Sequence, residues 1–377
     1  MTDAPKINRG LMGVYFDRSA VSDIDGAAGR LSYRGYSIDD LATHATFEEV
    51  CYLLIMGELP NEAELSAFDQ RLKAARVLPD AIYDIIRATA DGHPMNVLRT
   101  AVSALAALEP GSADASAEGM LDNGIRLTAQ VPMIIAAHHA IRNGRDPVAP
   151  DPALGHAANW LWMLKGAKPS EDAARLADVD LILHAEHGSN ASSFAARVTV
   201  GTEADAHGAI TTALATLAGP AHGGAAEDVM KMVEEIGEPE NAAAYVKAKR
   251  KNREPVTGFG HRVYRAEDPR ARHMREGVRK LGEEMGEPKW YEILQGVVEA
   301  MKPYARHGLN VNVDFYSGVV YQLHGIPMDL YVPIFAIGRM PGWVIQCLEQ
   351  KRGNILIRPL TLYNGPEPRD WVALGDR

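Results

Sequence analysis

Apolar residues in this chain recur three and four positions apart far more often than they alternate, so the pattern predicts helices. Thr46-Phe-Glu-Glu49 reads as a capping box, in which the Thr hydroxyl and Glu carboxylate satisfy free N–H groups at a helix start. Val50, Leu53 and Leu54 then form an apolar face, and Gly57 with Pro60 ends the helix. Asn61 to Glu64 repeats the cap, followed by Leu65, Phe68 and Leu72 on one face. Ile210, Leu214 and Leu217 make a third stripe, stopped by Gly219-Pro220. Val229, Met232, Val233 and Ile236 make a fourth, stopped by Gly237 and Pro239. Strand signals are few, and the best is near the start, where Gly13–Phe16 and Leu31–Tyr33 flank a turn-rich Asp23–Gly29 segment. There is no strand–helix alternation, internal repeat or low-complexity tract. The expected fold is mainly α with a minor N-terminal β element, and the chain ends are expected to be arm-like. The Ala-rich stretch from Ala209 to Ala218 favours close backbone approach, as in an internal or subunit-interface helix.

Composition narrows the function more than the fold. A chain of 377 residues suits one large domain or two ordinary ones, and 46% hydrophobic residues can fill a substantial core. The net charge of −10 disfavours a nucleic-acid partner, so any anion must be met by a local concentration of Arg and Lys. Cys51 and Cys347 lie far apart in apolar contexts and are expected to be buried free thiols, not a disulfide or a zinc site. The opening MTDAPKINRG lacks a basic region followed by an apolar stretch, and no apolar run reaches membrane-spanning length. A reduced, cytoplasmic, soluble protein is expected.

Four segments hold polar residues that simple packing does not account for. In His184-Ala-Glu-His187, the two histidines are three apart and would share a helix face, which suits a metal; a satisfied core histidine is the alternative reading of His184. Gly219-Pro-Ala-His222-Gly-Gly224 precedes the fourth stripe. Its glycines and proline suit a turn, but His222 does not. A helix N-terminus there would disfavour imidazolium and leave a neutral donor for a developing oxyanion. Gly258-Phe-Gly-His261-Arg-Val-Tyr-Arg265, followed by Arg270, comes after Lys247, Lys249, Arg250, Lys251 and Arg253. That is either a solvated charge run or an anion site whose glycines admit a coenzyme phosphate. Asp314 lies between Val313 and Phe315, so it either caps a turn or helix or, partly desolvated, acts as a base. Arg339 and Arg358 interrupt apolar stretches and suggest carboxylate partners.

The stretches HAEHGSNASSF, GPAHGGA, GFGHRVYRAEDPR, NVDFYSG, FAIGRMPGW and ILIRP occur in an order and spacing that resemble the citrate synthase family over nearly the whole chain. The resemblance implies a citrate synthase-like, two-domain helical fold that condenses acetyl-CoA with oxaloacetate. By that resemblance Asp314 removes a proton from the acyl group, His222 hydrogen-bonds the thioester oxygen and His261 protonates the ketone oxygen. His187, Arg270, Arg339 and Arg358 hold oxaloacetate, while Arg265, Lys251 and Arg253 meet coenzyme A phosphates. It further implies a homodimer in which Arg358 reaches the partner subunit's site. Residues 1–223 plus 329–377 would form a large domain, and 224–328 a small one that closes on substrate. No metal and no permanently bound cofactor is implied. Three departures touch the pattern: Ala226 and Gln346 replace commoner Asn and His, and Arg306–Asn310 replaces a Gly-Ile-Tyr-Pro lead. The neighbouring alternative is 2-methylcitrate synthase, which uses propionyl-CoA. A metal hydrolase built on His184, His187, His222 and Asp314 lacks the His-Glu-x-x-His signature, and a non-catalytic coenzyme A- or dicarboxylate-binding protein has no need of a carbon base.

Overall fold

The computed structural model describes residues 6–377. Three short strands open it: β1 (Ser22–Asp25), β2 (Arg30–Tyr33) and β3 (Tyr36–Ser37), antiparallel and adjacent in that order. The helices α1 (Ile38–His44), α2 (Phe47–Met56), α3 (Glu62–Ala74), α4 (Asp80–Ala88), α5 (Pro94–Leu108) and α6 (Ala117–Arg142) follow. Next come α7 (His156–Lys165), α8 (Glu171–His184), α9 (Ala191–Val200), α10 (Ala206–Leu217) and α11 (Ala225–Ile236). The remainder are α12 (Ala242–Lys251), α13 (Ala271–Glu284), α14 (Lys289–Met301), α15 (Asp314–Leu323) and α16 (Tyr331–Arg352). The fold is mainly α with a small N-terminal sheet, as the hydrophobic pattern predicts.

Both capping boxes are formed, Thr46 with Glu49 and Asn61 with Glu64, and Gly57 ends α2 in the left-handed conformation. Cys51 and Cys347 are buried free thiols. The first strand differs from expectation. Gly13–Phe16 is not a strand; β1 instead uses Ser22–Asp25, within the segment read as a turn. The reason is local: the Asp25 carboxylate accepts the N–H groups of Ala27 (3.1 Å) and Ala28 (2.9 Å), so the turn starts only at Asp25. Residues 22–25 are exposed or half-buried, which leaves no apolar alternation to read.

The core is built around α6 and α16, which pack on one another and are buried on nearly every side. Glycines let neighbouring chain approach: a Cβ on Gly124 would press Val344, and one on Gly342 would fall 2.1 Å from the Ala185 carbonyl oxygen. Helices α5, α9 and α10 pack together beside this pair, and α7 and α8 pack on each other. Helices α11 to α15 form a second group, with α11 and α13 laid on α15 and α12 on α14. It meets the first where α13 touches α8 and α11 touches α16. After α16, residues 353–373 have no regular structure and expose Ile355, Leu356, Leu360, Leu362, Tyr363 and Trp371. Among the described residues no helix is long and apolar enough to cross a membrane.

Candidate active site

His222 sits in the turn between α10 and α11, where its N–H donates to the Gly219 carbonyl at 2.9 Å. The turn is tight: a Cβ on Gly223 would lie 2.4 Å from the Leu217 carbonyl oxygen. The imidazole is held from α9. Asn190 caps that helix, Ser192 Oγ lies 2.8 Å from Asn190 Oδ1, and Trp343 Nε1–H donates to Ser192 Oγ (3.0 Å). Ser192 Oγ lies 2.9 Å from His222 Nε2, and the Ser192 backbone N–H donates to that nitrogen at 3.3 Å. Nε2 is therefore an acceptor, and the ring proton resides on Nδ1. Burial first, then the charge of Arg339, lowers the pKa of His222 to about 4. Burial and Arg339 thus favour the neutral ring, and α11 begins three residues later, at Ala225.

His261 shows the opposite tautomer. It lies in the connection from α12 to α13, which is zipped to the approach to α15. Gly260 N–H donates to Asn310 O (2.8 Å), Asn312 N–H to Gly258 O (2.9 Å) and Asp268 N–H to Val311 O (3.0 Å). Gly258 has φ +82°, and a Cβ there would strike the Phe315 ring, so a side chain is excluded on both counts. His261 Nδ1 accepts the N–H groups of Val263 (3.0 Å) and Tyr264 (3.2 Å), leaving the proton on Nε2. Burial, and then Arg270, lowers its pKa to about 4. Tyr264 is buried and its hydroxyl lies 3.1 Å from His187 Nε2, while the His187 and His261 rings meet edge to face at 5.2 Å. Burial holds His187 well below the usual imidazole range, with Arg270 next in effect.

The cations are also ordered. Arg270 is buried against Asp268, with Nε donating to Oδ1 (2.9 Å) and a terminal nitrogen to Oδ2 (2.7 Å); the carboxylate keeps its pKa high despite burial. Arg339, from α16, donates through Nε to the His184 carbonyl and stacks over Phe335 at 4.7 Å. Among the described residues its two terminal nitrogens have no hydrogen-bond partner. Burial lowers its pKa to about 10. Asp314 is the first residue of α15, partly buried, and its carboxylate has no partner among the described residues. Burial raises its pKa; His184 and Arg270 act against that rise, Asp268 and Asp180 with it.

The N-terminal sheet supports this cluster. Tyr33 OH accepts the Glu186 N–H (3.2 Å) and lies 3.0 Å from the Glu186 carbonyl oxygen, and Ser22 Oγ donates to Glu186 Oε1 (3.2 Å) and accepts Gly188 N–H (3.2 Å). Its turn also braces His261: Arg265 N–H donates to Gly26 O at 2.8 Å, and a Cβ on Gly26 would lie 2.3 Å from Val263 O. Ser22, Tyr33, Ser192, Tyr264 and Asp268 were missed in the sequence because their partners are distant along the chain. Asp268 alone carried a signal, two positions before Arg270.

The structure thus brings His187, His222, His261, Arg270, Arg339 and Asp314 into one electrostatically linked cluster. It does not do so for Arg358, Arg265, Lys251 or Arg253, which are exposed. The shared helix face of His184 and His187 is not found, because α8 ends at His184. Among the described residues no group of three His, Cys, Asp or Glu is placed to hold a metal ion. Gln346 is buried between Arg197, which donates to its Oε1 (3.1 Å), and Glu186, which accepts from its Nε2 (3.0 Å). Ala226 lies in the close contact of α11 with α15, where a Cβ on Gly318 would fall 2.6 Å from its carbonyl oxygen.

A family model described as citrate synthase, C-terminal domain, matches residues 10–360. A citrate synthase of Haloferax volcanii is 44% identical over 379 residues, covering 99% of each chain. A 2-methylcitrate synthase of Mycobacterium tuberculosis is 40% identical, over 97% of this chain and 93% of the other. The ternary complex of Thermoplasma acidophilum citrate synthase with carboxymethyl coenzyme A and oxaloacetate superposes with a TM-score of 0.93 at 31% identity, covering 99% of this chain and all of the other. The chain belongs to the citrate synthase family.

Proposed function

We propose that this enzyme condenses acetyl-CoA with oxaloacetate and hydrolyses the resulting citryl-CoA to citrate and free coenzyme A. The observation that carries the reading is the pair of neutral histidines fixed in opposite tautomers in the same cluster as an unpartnered, basic-shifted carboxylate. A thioester's α-carbon is a weak acid, so its deprotonation needs a base and an oxyanion stabiliser acting together. Asp314 takes the methyl proton while His222 Nδ1–H donates to the thioester oxygen. The enol carbon then attacks the ketone carbon of oxaloacetate, and its oxygen takes the proton of His261 Nε2. Arg270 and Arg339 bind the substrate's carboxylates, with His187 alongside; the free terminal nitrogens of Arg339 suit a two-point contact. Water then cleaves the thioester. The polarising groups are all side chains, and no step needs a metal or a resident cofactor.

The group of α11 to α15 serves as a small domain, residues 224–328, closing on the large domain formed by 1–223 and 329–377. Closure excludes water from the enol. The protein acts as a cytoplasmic homodimer in which Arg358, on the exposed C-terminal segment, completes the partner subunit's site. Arg265, Lys251 and Arg253 meet coenzyme phosphates. Citrate is favoured over 2-methylcitrate because the curated relatives at 41–44% identity are citrate synthases, against 40% for the methylcitrate enzymes. The test is thiol release with oxaloacetate and each acyl-CoA. Faster turnover of acetyl-CoA is expected; a propionyl-CoA preference would move the assignment to 2-methylcitrate, and no release from either would reject the reading. Mixing Asp314→Asn with Arg358→Ala subunits should restore activity, and its absence would reject the shared site.

A further inference from the structure

In the loop that carries His261, Val263 and Arg265 are exposed, while Tyr264 between them is 1% exposed. The N-terminal hairpin pins both neighbours: the Val263 carbonyl packs against Gly26, and Arg265 N–H donates to Gly26 O at 2.8 Å. Packing alone would be served by Phe, so the phenol oxygen needs its own account. Burial pushes the Tyr264 pKa up and keeps the phenol protonated, and a buried O–H must find an acceptor. Among the described residues the hydroxyl has one hydrogen-bond partner, His187 Nε2 at 3.1 Å. Tyr33 is different, since its hydroxyl lies 3.2 Å from the Ile182 carbonyl oxygen and 3.0 Å from that of Glu186. If His187 Nε2 carried a proton, the Tyr264 proton would be left without an acceptor in a dry site, which is costly. The cheaper arrangement has the phenol donating to Nε2, and it puts the ring proton of His187 on Nδ1. Nδ1 makes no hydrogen bond to another of the described residues, and His187 keeps 8% of its surface open.

The same residue acts on the second histidine through its backbone. Tyr264 N–H donates to His261 Nδ1 at 3.2 Å, beside the N–H of Val263 at 3.0 Å. The three rings form a triangle, with Tyr264 5.5 Å from His187 and 4.7 Å from His261, and the two imidazoles 5.2 Å apart. His187 follows α8, whereas Tyr264 and His261 lie in the connection before α13, so the phenol bond joins the two helix groups. We propose that Tyr264 is a positioning residue that sets the two histidines in complementary tautomers: its hydroxyl makes His187 a donor through Nδ1, and its backbone N–H helps make His261 a donor through Nε2. Two neutral donors then meet a substrate rich in oxygen acceptors. In the other tautomer His187 would present a lone pair at Nδ1, which repels a carboxylate or ketone oxygen. The inference rests on the reading of His187 as an oxaloacetate ligand.

Nitrogen NMR of the histidine-labelled enzyme at neutral pH reads the tautomers directly, with His187→Gln and His261→Gln to assign the signals. In the parent, His187 should carry its proton on Nδ1 and His261 on Nε2. Tyr264→Phe keeps the ring and removes the hydroxyl. The His187 signals should then shift towards the Nε2–H form, while those of His261, held by backbone N–H groups, stay in place. The Kd of oxaloacetate in calorimetry and its KM in thiol release should both rise by about tenfold, with kcat changed by less than about threefold. The NMR readout needs neither substrate nor turnover, so it stands even if absent thiol release by the parent sinks the functional reading. A parent His187 protonated on Nε2 overturns the inference, whether or not Tyr264→Phe folds, because the phenol would then be the acceptor. An unchanged His187 tautomer in Tyr264→Phe overturns it too. If both histidines shift together and Tm, kcat and binding fall in step, Tyr264 does no more than fill the core.

Discussion

The frame built on α6, α8 and α16 and the group α11 to α15 hold their reactive side chains by different means. The frame interdigitates apolar helices, and Arg339 and His187 project from positions already buried in it. In the second group, α13 buries one stripe, Met274, Val278 and Leu281, and turns charges outward. That group brings His261 and Asp314 to the site from a loop and a helix start. The seam between the two mixes apolar contacts, such as Tyr321 on Tyr331, with polar ones. Asp39 on α1 pairs with Arg272 and with His273 Nε2 (2.6 Å), Asp180 holds Ser317 and Tyr321, and Gly26 O holds Arg265 N–H. Polar groups that part can turn to water, whereas parted apolar faces cannot.

The difference can be broken at its strongest point first. Asp314→Asn should cut kcat by about 10²–10⁴-fold while leaving oxaloacetate binding nearly unchanged in calorimetry; unchanged turnover would reject the base assignment. In the frame, Gly342→Val should do the reverse. Its side chain meets the Ala185 carbonyl, which cannot swing aside, so stability should fall by about 1–3 kcal/mol in denaturant melts. Both regions also bury neutral histidines, His156 with a pKa of about 3 and His261 of about 4, against about 6.5 when unfolded. The unfolded chain therefore binds protons first, so their contribution is full above pH 6.5 and is lost as pH falls towards 4. Asp178 and Glu186, raised to about 7, act in the opposite sense, protonating first in the folded chain. Five histidines held at about 3 to 4, His139, His156, His222, His261 and His324, outnumber them. The Tm should drop from pH 7 to pH 5, and His156→Gln should flatten that slope. The smallest effect belongs to the seam. Asp39→Asn should cost under about 1 kcal/mol of stability, since the pair is half exposed, yet it should raise the KM for acyl-CoA if the seam governs closing.

How much was legible in the sequence follows the reach of each signal. The caps at Thr46 and Asn61 and the stripes of α10 and α11 depend on neighbours within a turn or two, and they were readable. The motif order exposed the family and singled out the histidines, arginines and Asp314 that the structure gathers. Geometry was not readable where it hangs on long-range contacts. The tautomer of His222 is set by Ser192, that of His261 by its own loop, and the orientation of His187 by Tyr264. The first strand was misplaced because a half-solvated strand leaves no alternation. The reading of a shared face for His184 and His187 failed because α8 stops one residue too soon.

The N-terminal hairpin has a bearing on how the enzyme is made. Ser22 and Tyr33 leave the ribosome early, but they dock on Glu186, and the Gly26 turn waits still longer for Val263 and Arg265. Contacts between such distant parts of a chain form only after intervening segments have been synthesised and collapsed. The hairpin is thus made well before the segments that hold it, so its docking must wait for them.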